Sequence, residues 1–312
     1  MNIRKITKYL TIMAVALAAT TACEDVDEEG DIFNVEPDGA FIDPDAPGVD
    51  EVSSIPLTVY TSRLEVPALK SGNVFIEHST LEGQDSLVNY MLEYSPEHHL
   101  ARWVAFRFDA SNRALSANRK SYNAKPQYPA DPDLAGGLSS DAYFPGFQHG
   151  HLCASNDRRY SRESNDQTFY MTNMIPQSSA FNGDYWTIYE SFVQTKGRSE
   201  SFADTLYVVK GGTLDQIRQN ISVDGNLIPV PEYYWMALLR VKGSSYAAIG
   251  FWMEHRDVYP ELLPTEIPME IYLHTVSIDQ LETLTGINFF PNLPDDIEQS
   301  VESGFTASSW GL

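Results

Sequence analysis

Cysteine is scarce in this chain. Cys23 and Cys153 are the only two in 312 residues, which excludes a disulfide framework as the source of stability. Positive charge is also scarce. Lys and Arg number 21 against 43 Asp and Glu, and the formal net charge of −22 excludes a broadly basic surface. No apolar run reaches the roughly 20 residues that cross a bilayer. Internal repeats are lacking too, which excludes a solenoid. What is present is enough for a packed core: 43% hydrophobic and 12% aromatic residues.

The charge is unevenly spread. Residues 1–22 carry Arg4, Lys5 and Lys8 and no acid, and an apolar stretch runs from Tyr9 to Ala19. This pattern is that of a secretory leader. It ends at Thr20-Thr21-Ala22-Cys23, which resembles a bacterial lipobox with Thr20 where Leu is usual, so Cys23 is the expected lipidation site. Residues 24–51 hold twelve acids and no Lys or Arg. With Pro37, Pro44 and Pro47 and no apolar period, this stretch reads as a self-repelling tether. The acidic run after Cys23 resembles the signals that sort some lipoproteins to the outer membrane or cell surface. Three parts are expected: a lipoprotein signal peptide at 1–22, an acidic flexible tether at 23–55, and one large folded domain at 56–312. Once the leader and tether are set aside, residues 52–312 still carry −13. A phosphate site there needs a local basic patch and a cation.

Strands are expected at Asn73–His78, Leu87–Tyr94, Ala101–Phe108, Thr168–Asn173, Thr205–Lys210, Tyr233–Val241 and Tyr246–Met253, from β-branched and aromatic residues between turn formers. Helices are expected at Gly183–Thr195 with Asn182 as N-cap, at Ser277–Thr285, and at Leu293–Glu302. Residues 111–147 read as a long loop, of a length that is often functional. The expected class is α+β, a mainly antiparallel central sheet with flanking helices.

The chemistry concentrates between Phe147 and Phe192. Gly150-His151-Leu152 is followed by Asn173, Pro176 and Gln177, then by Asn182, Gly183 and Trp186, then by Glu190. Nine residues separate Asn173 from Asn182, and eight separate Asn182 from Glu190. Arg102-Trp103-Val104-Ala105-Phe106 precedes them as an apolar strand. This series resembles the DNA/RNA non-specific endonucleases of the ββα-metal (His-Me finger) superfamily. Their hallmarks are D-R-G-H, then L-x-P/A-x-x-D-R, then an Asn-containing P-Q segment and an N-x-G-x-W helix start. The likeness extends over roughly residues 85–303.

The resemblance implies a ββα-metal catalytic motif and hydrolysis of DNA and RNA phosphodiesters that leaves 5′-phosphates. Such hydrolysis needs an activated water and charge neutralisation at phosphorus. His151 is the expected general base, since a neutral imidazole takes a proton near neutral pH. Asn182 is the expected metal ligand, offering a neutral oxygen to a hard cation such as Mg²⁺ or Mn²⁺. Glu190, about two helical turns on, is expected to orient water around the cation, and Asn173 to complete the polar network. Arg119 corresponds to a phosphate-contacting Arg of the family, with Arg113 as the competing alignment. Arg158, Arg159 and Arg162 are expected to form the local basic patch.

One departure stands out. The family's D-R-G-H is Gln148-His149-Gly150-His151 here, so His149 replaces an Arg and offers no bidentate clamp. This motivates an alternative, a weakened relative that binds nucleic acid or other polyanions at the cell surface. Two plainer alternatives remain. His149 and His151 have a zinc-binding spacing, with His98 or His99 as a third ligand. The leader and tether alone fit a non-enzymatic surface lipoprotein. Cys153 reads as a small buried residue, since no neighbouring motif activates it.

Overall fold

The computed structural model describes residues 63–83 and 85–312. The leader, Cys23 and the acidic tether lie outside the described residues. Seven antiparallel strands form the central sheet in the order β1-β2-β3-β6-β9-β10-β11. They are β1 (Val74–Glu82), β2 (Asp85–Ser95), β3 (Leu100–Phe108), β6 (Thr205–Gly212), β9 (Tyr233–Lys242), β10 (Ser245–Glu254) and the short β11 (Thr275–Val276). Six were expected within a few residues; β11 is too short to carry a period.

Both faces of this sheet are covered. Tyr90, Leu92, Val104, Phe106, Met236 and Leu238 point into one apolar core. Met91, Trp103, Ala105, Trp235 and Ala237 point into the other. Alternate residues of one strand thus serve two cores, which is why the strands read as nearly continuous apolar runs. The second core is closed by α4 (Ile278–Thr285), capped by Ser277, and α5 (Asp295–Glu302), which starts after Pro294.

The first core carries the elements of the expected catalytic motif. β4 (Gln148–His151) pairs antiparallel with β5 (Met174–Gln177), and α2 (Trp186–Arg198) follows. Two glycines allow this packing. A Cβ on Gly150 would collide with the Gln177 side chain, and one on Gly197 with the Phe108 ring, so β4 closes on β5 and α2 on β3.

Three expectations need correction. Thr168–Asn173 is no strand: Thr168 caps α1 (Arg162–Gln167), and Met171–Asn173 forms a single tight helical turn. The β-rich composition was overridden because Ser161 and Ser164 make a reciprocal capping box that starts a helix just upstream. Asn182 is no N-cap either. It lies inside a five-residue π-helical turn, Phe181–Tyr185, that leads into α2. The hairpin of β7 (Ile217–Val223) and β8 (Asn226–Pro231) and the helix α3 (Ile267–Leu273) were not expected.

The 111–147 loop is pinned at several points. Ser116 and Ala117 N–H groups donate to Arg159 O at 2.8 and 2.9 Å, and Lys120 N–H to Asn165 Oδ1 at 2.7 Å. Farther on, buried His78 on β1 faces Asp131 Oδ2 at 3.0 Å through Nε2 and Asp133 Oδ2 at 3.3 Å through Nδ1. Thr172 also donates to Asp131. These bonds tie the loop to β1 and to residues 159–172.

Candidate active site

His151 closes β4, where its backbone pairs with Met174. Its ring stands edge-on to Phe169, 4.9 Å between centroids. Its Nε2 is buried and has no hydrogen-bond partner among the described residues. Burial, with the positive charge of Arg119 and the neighbouring His149, holds the imidazole far below its ordinary value, at about 3. At neutral pH the ring is therefore uncharged and able to accept a proton.

The Arg119 guanidinium lies over the Phe169 ring at 4.8 Å and the Tyr122 ring at 3.7 Å, and Nη1 donates to Lys120 O at 2.9 Å. Arg113 points elsewhere, donating to Asp109 O and Asp204 O. Of the two competing arginines, Arg119 is the one beside His151.

The π-turn lays Asn182 against the other end of β4. Asn182 Nδ2 donates to Gln148 Oε1 at 2.7 Å, and Asn182 Oδ1 accepts no hydrogen bond among the described residues. Gln148, noted in the sequence only as a departure, is thus the partner that orients Asn182. Trp186, at the start of α2, donates its indole N–H to His151 O at 3.2 Å and also faces the Glu190 carboxyl. One indole therefore links the β4 terminus to Glu190. Burial raises the Glu190 carboxyl to about 8, against the opposing pull of the Lys210 ammonium.

Beneath lies a charged group that sequence reasoning missed. Lys210 on β6 and Asp157 are both fully buried, 2.9 Å apart. Asp157 also receives Ala154 N–H at 3.0 Å and Gln194 Nε2 at 2.9 Å. The signal was present: Asp157-Arg158 occupies the D-R of the second hallmark, and Lys210 interrupts an apolar strand.

Several expected residues stand apart from this cleft. His149 is held between Tyr128 (4.2 Å, 16°) and Phe144 (4.8 Å, 26°), and its Nε2 lies 2.7 Å from Ala142 O. It fastens the loop. Asn173 is fully buried. Its Oδ1 accepts Cys153 N–H at 2.8 Å, and its Nδ2 donates to Cys153 O and Thr168 O at 2.8 and 2.7 Å. It pins the backbone just after His151.

The expected patch of three arginines does not form. Arg158 is wholly interior, against Phe106 and Phe108, with Nη1 donating to Arg107 O at 2.8 Å. Arg159 binds Ala117 O and Asn156 Oδ1, and Arg162 faces Asp166. Cys153 is buried, and burial pushes its thiol up, away from nucleophile chemistry.

A divalent cation fits the donors present. A carboxamide oxygen without a partner among the described residues, a second carboxamide beside it and a carboxyl that burial makes avid for positive charge are hard oxygen groups. The zinc alternative fits less well. Among the described residues no group of potential ligands includes His149 or His151. His98 instead faces Ser95 Oγ. The groups whose ligand atoms do lie close together are His78–Asp131–Asp133 and Asp279–Glu282–Glu302.

Known proteins resemble this chain in sequence and in fold. The mitochondrial nuclease EXOG of Danio rerio is 27% identical over 213 residues, covering 66% of this chain and 60% of that protein. A nuclease of Nostoc sp. is 27% identical over 222 residues, covering 69% of this chain and 75% of that protein. The chain thus spans only about 60% of the length of the vertebrate mitochondrial nucleases it matches. A crystal structure of the EndoG/EndoGI complex superposes with a TM-score of 0.56 at 18% identity, over 71% of this chain and 89% of that one, and shares the fold. The sequence profile of DNA/RNA non-specific endonucleases matches residues 70–296, an interval that contains every element of the cleft. By that match, over more than half its length, the chain belongs to the DNA/RNA non-specific endonuclease family.

Proposed function

We propose that this chain is a divalent-metal-dependent endonuclease that hydrolyses DNA and RNA without strong sequence preference, leaving 5′-phosphates. The observation that carries this reading is the His151 Nε2 atom: buried, without a partner among the described residues, on an uncharged ring beside the Arg119 guanidinium. In this reading His151 Nε2 takes a proton from water as the water oxygen bonds to phosphorus. The bond from phosphorus to the 3′ oxygen breaks, and solvent protonates that oxygen. Arg119 holds the phosphate. Asn182, oriented by Gln148, and Glu190 hold the cation and its hydration. When bound, that cation, Mg²⁺ in our reading, supplies positive charge to the phosphate and the leaving oxygen. Asn173 and the Lys210–Asp157 pair position this machinery from below.

The test is digestion of plasmid DNA and total RNA by purified protein with Mg²⁺ or Mn²⁺. His151→Ala should lower cutting by at least about 100-fold, the usual worth of a general base. Asn182→Ala should shift the Mg²⁺ dependence to much higher concentration. Circular dichroism should show both variants folded. Intact substrates from pH 5 to pH 9 would refute the reading.

One observation favours the second reading, a polyanion binder that does not cut: His149 faces an aromatic slot where the family has Arg. Binding without turnover, unchanged by His151→Ala, would select it.

The proposal extends to location. We read the chain as exported and lipid-anchored through Cys23 to the outer membrane or cell surface, on the strength of the leader and lipobox-like residues alone. Cys23→Ser should release the protein from the membrane fraction.

A further inference from the structure

The guanidinium of Arg119 is one layer in a pile of flat groups that runs outward from the general base. The His151 and Phe169 rings stand perpendicular with centroids 4.9 Å apart, Phe169 lies 4.8 Å from the guanidinium, and the guanidinium lies 3.7 Å from the Tyr122 ring. The inner layers are buried or half-buried, whereas Tyr122 is 78% exposed. A single exposed tyrosine is ordinary on a protein surface. This one differs because one ring face is fixed by the guanidinium, so the other is presented to solvent in a set orientation. The loop beneath it is fixed as well, by Lys120 N–H to Asn165 Oδ1 at 2.7 Å and Lys120 Nζ to Gln127 O at 3.0 Å.

Charge gives a second, independent reason to look for such a surface. Non-specific affinity for nucleic acid ordinarily comes from many Lys and Arg contacts to phosphates. Residues 52–312 carry a formal −13, and the expected arginine patch is dispersed by burial and pairing. Arg119 is left as the arginine placed beside His151, and Lys210 beneath the site is buried and paired with Asp157. Affinity then has to come from a term that does not depend on net charge, and stacking of bases on an aromatic face is such a term.

We propose that Tyr122 is a base-stacking platform beside the scissile phosphate, which makes single-stranded nucleic acid, DNA or RNA, the preferred substrate of this site. An unpaired base is free to turn its face onto the ring, whereas a base inside a duplex has both faces covered by its neighbours. The inference rests on the nuclease reading for its cleavage arm and is independent of it for its binding arm.

The experiment compares single-stranded DNA and RNA oligonucleotides with a duplex closed at both ends by loops of abasic linker. Wild-type protein should cut both single strands with a lower KM than the closed duplex. Tyr122→Ala should raise KM for the single strands about tenfold more than for the duplex, the size expected for losing one stacked base, with little change in kcat. Tyr122→Phe should keep the preference. Tyr122→Leu, which still covers Arg119 but lacks an aromatic face, should lose it as Ala does.

Binding of the same oligonucleotides without divalent metal, read by the fluorescence of a 2-aminopurine base, should show the same tenfold loss in Tyr122→Ala. If wild type binds with this preference but never cuts, the nuclease reading falls and the platform stands. If Tyr122→Ala weakens single strands and duplex alike, or if Tyr122→Leu matches wild type, Tyr122 only supports Arg119 and the platform is wrong. A preference for one sugar, lost with Tyr122, would narrow the substrate to that nucleic acid.

Discussion

An ordinary imidazole at pH 5.5 is mostly protonated and a poor base. His151 is different, because burial and the Arg119 charge hold it at about 3. At saturating Mg²⁺ the cutting rate should therefore fall less than about threefold between pH 7.5 and pH 5.5, where an unperturbed histidine would lose about tenfold. A pH–rate profile checks this, and an acid limb centred near 6.5 would contradict it. Glu190 is perturbed the other way. Burial raises its carboxyl to about 8, so it is mostly protonated at pH 7. A cation beside it favours the ionised form. Adding Mg²⁺ to weakly buffered protein at pH 7 should release close to one proton, and Glu190→Gln should release almost none.

At the scale of elements, the cleft is assembled by three pieces that meet at β4. The π-turn brings Asn182 to its first residue, α2 brings Trp186 to its last, and the 111–147 loop brings Arg119 over His151. Lys210 on β6 supports this junction from the sheet. Lys210→Met would leave Asp157 buried with only its neutral hydrogen-bond partners, at a cost of about 3 kcal/mol in urea unfolding. It would also remove the charge that opposes the rise of the Glu190 carboxyl, so the proton release above should move to higher pH. The loop has its own fastening in His149. His149→Ala empties the slot between Tyr128 and Phe144 and should cost about 2 kcal/mol. Its KM should rise more than its kcat falls, because Arg119 and Tyr122 ride on the same loop.

The whole molecule is acidic, and its stability should follow from that. Glu302 on α5 is held at about 8 by burial, with Glu282, Glu298 and Asp279 adding to the rise. Its folded value lies above the unfolded one. The stabilisation is complete below about pH 4.5 and is lost as pH rises through about 8. Glu190, without metal, has the same sign. In chelator the melting temperature should fall between pH 5 and pH 8.5, and Glu302→Gln should flatten that fall. A melting temperature that rises over this interval would refute the assignment.

Much of the fold was legible because antiparallel strands covered on both faces leave long β-branched and aromatic runs in the sequence, as in Tyr233–Lys242 and Ser245–Glu254. Helices α4 and α5 announced themselves through Ser277 and Pro294. The spacing of His151, Asn182 and Glu190 was legible too, since one short strand, the π-turn and the helix it leads into carry all three, and local geometry fixes such intervals. By itself, then, the sequence determined the six long strands of the central sheet, the family and the order of the polar motifs.

Tertiary structure alone decided direction and exposure. Parity on a strand puts His149 and His151 on one face, yet only the packed rings of Tyr128 and Phe144 make the first a fastener while the second keeps a free nitrogen. Three arginines close together in sequence scatter to an interior, a loop contact and a surface pair, because each meets a different neighbour across the fold. The choice of Arg119 over Arg113, and the outward face of Tyr122, depend on how a 37-residue loop is tied down by Asn165, Arg159 and His78, residues far away in the chain. Such contacts have no period or spacing to read, because they arise only when separate elements close on a common core.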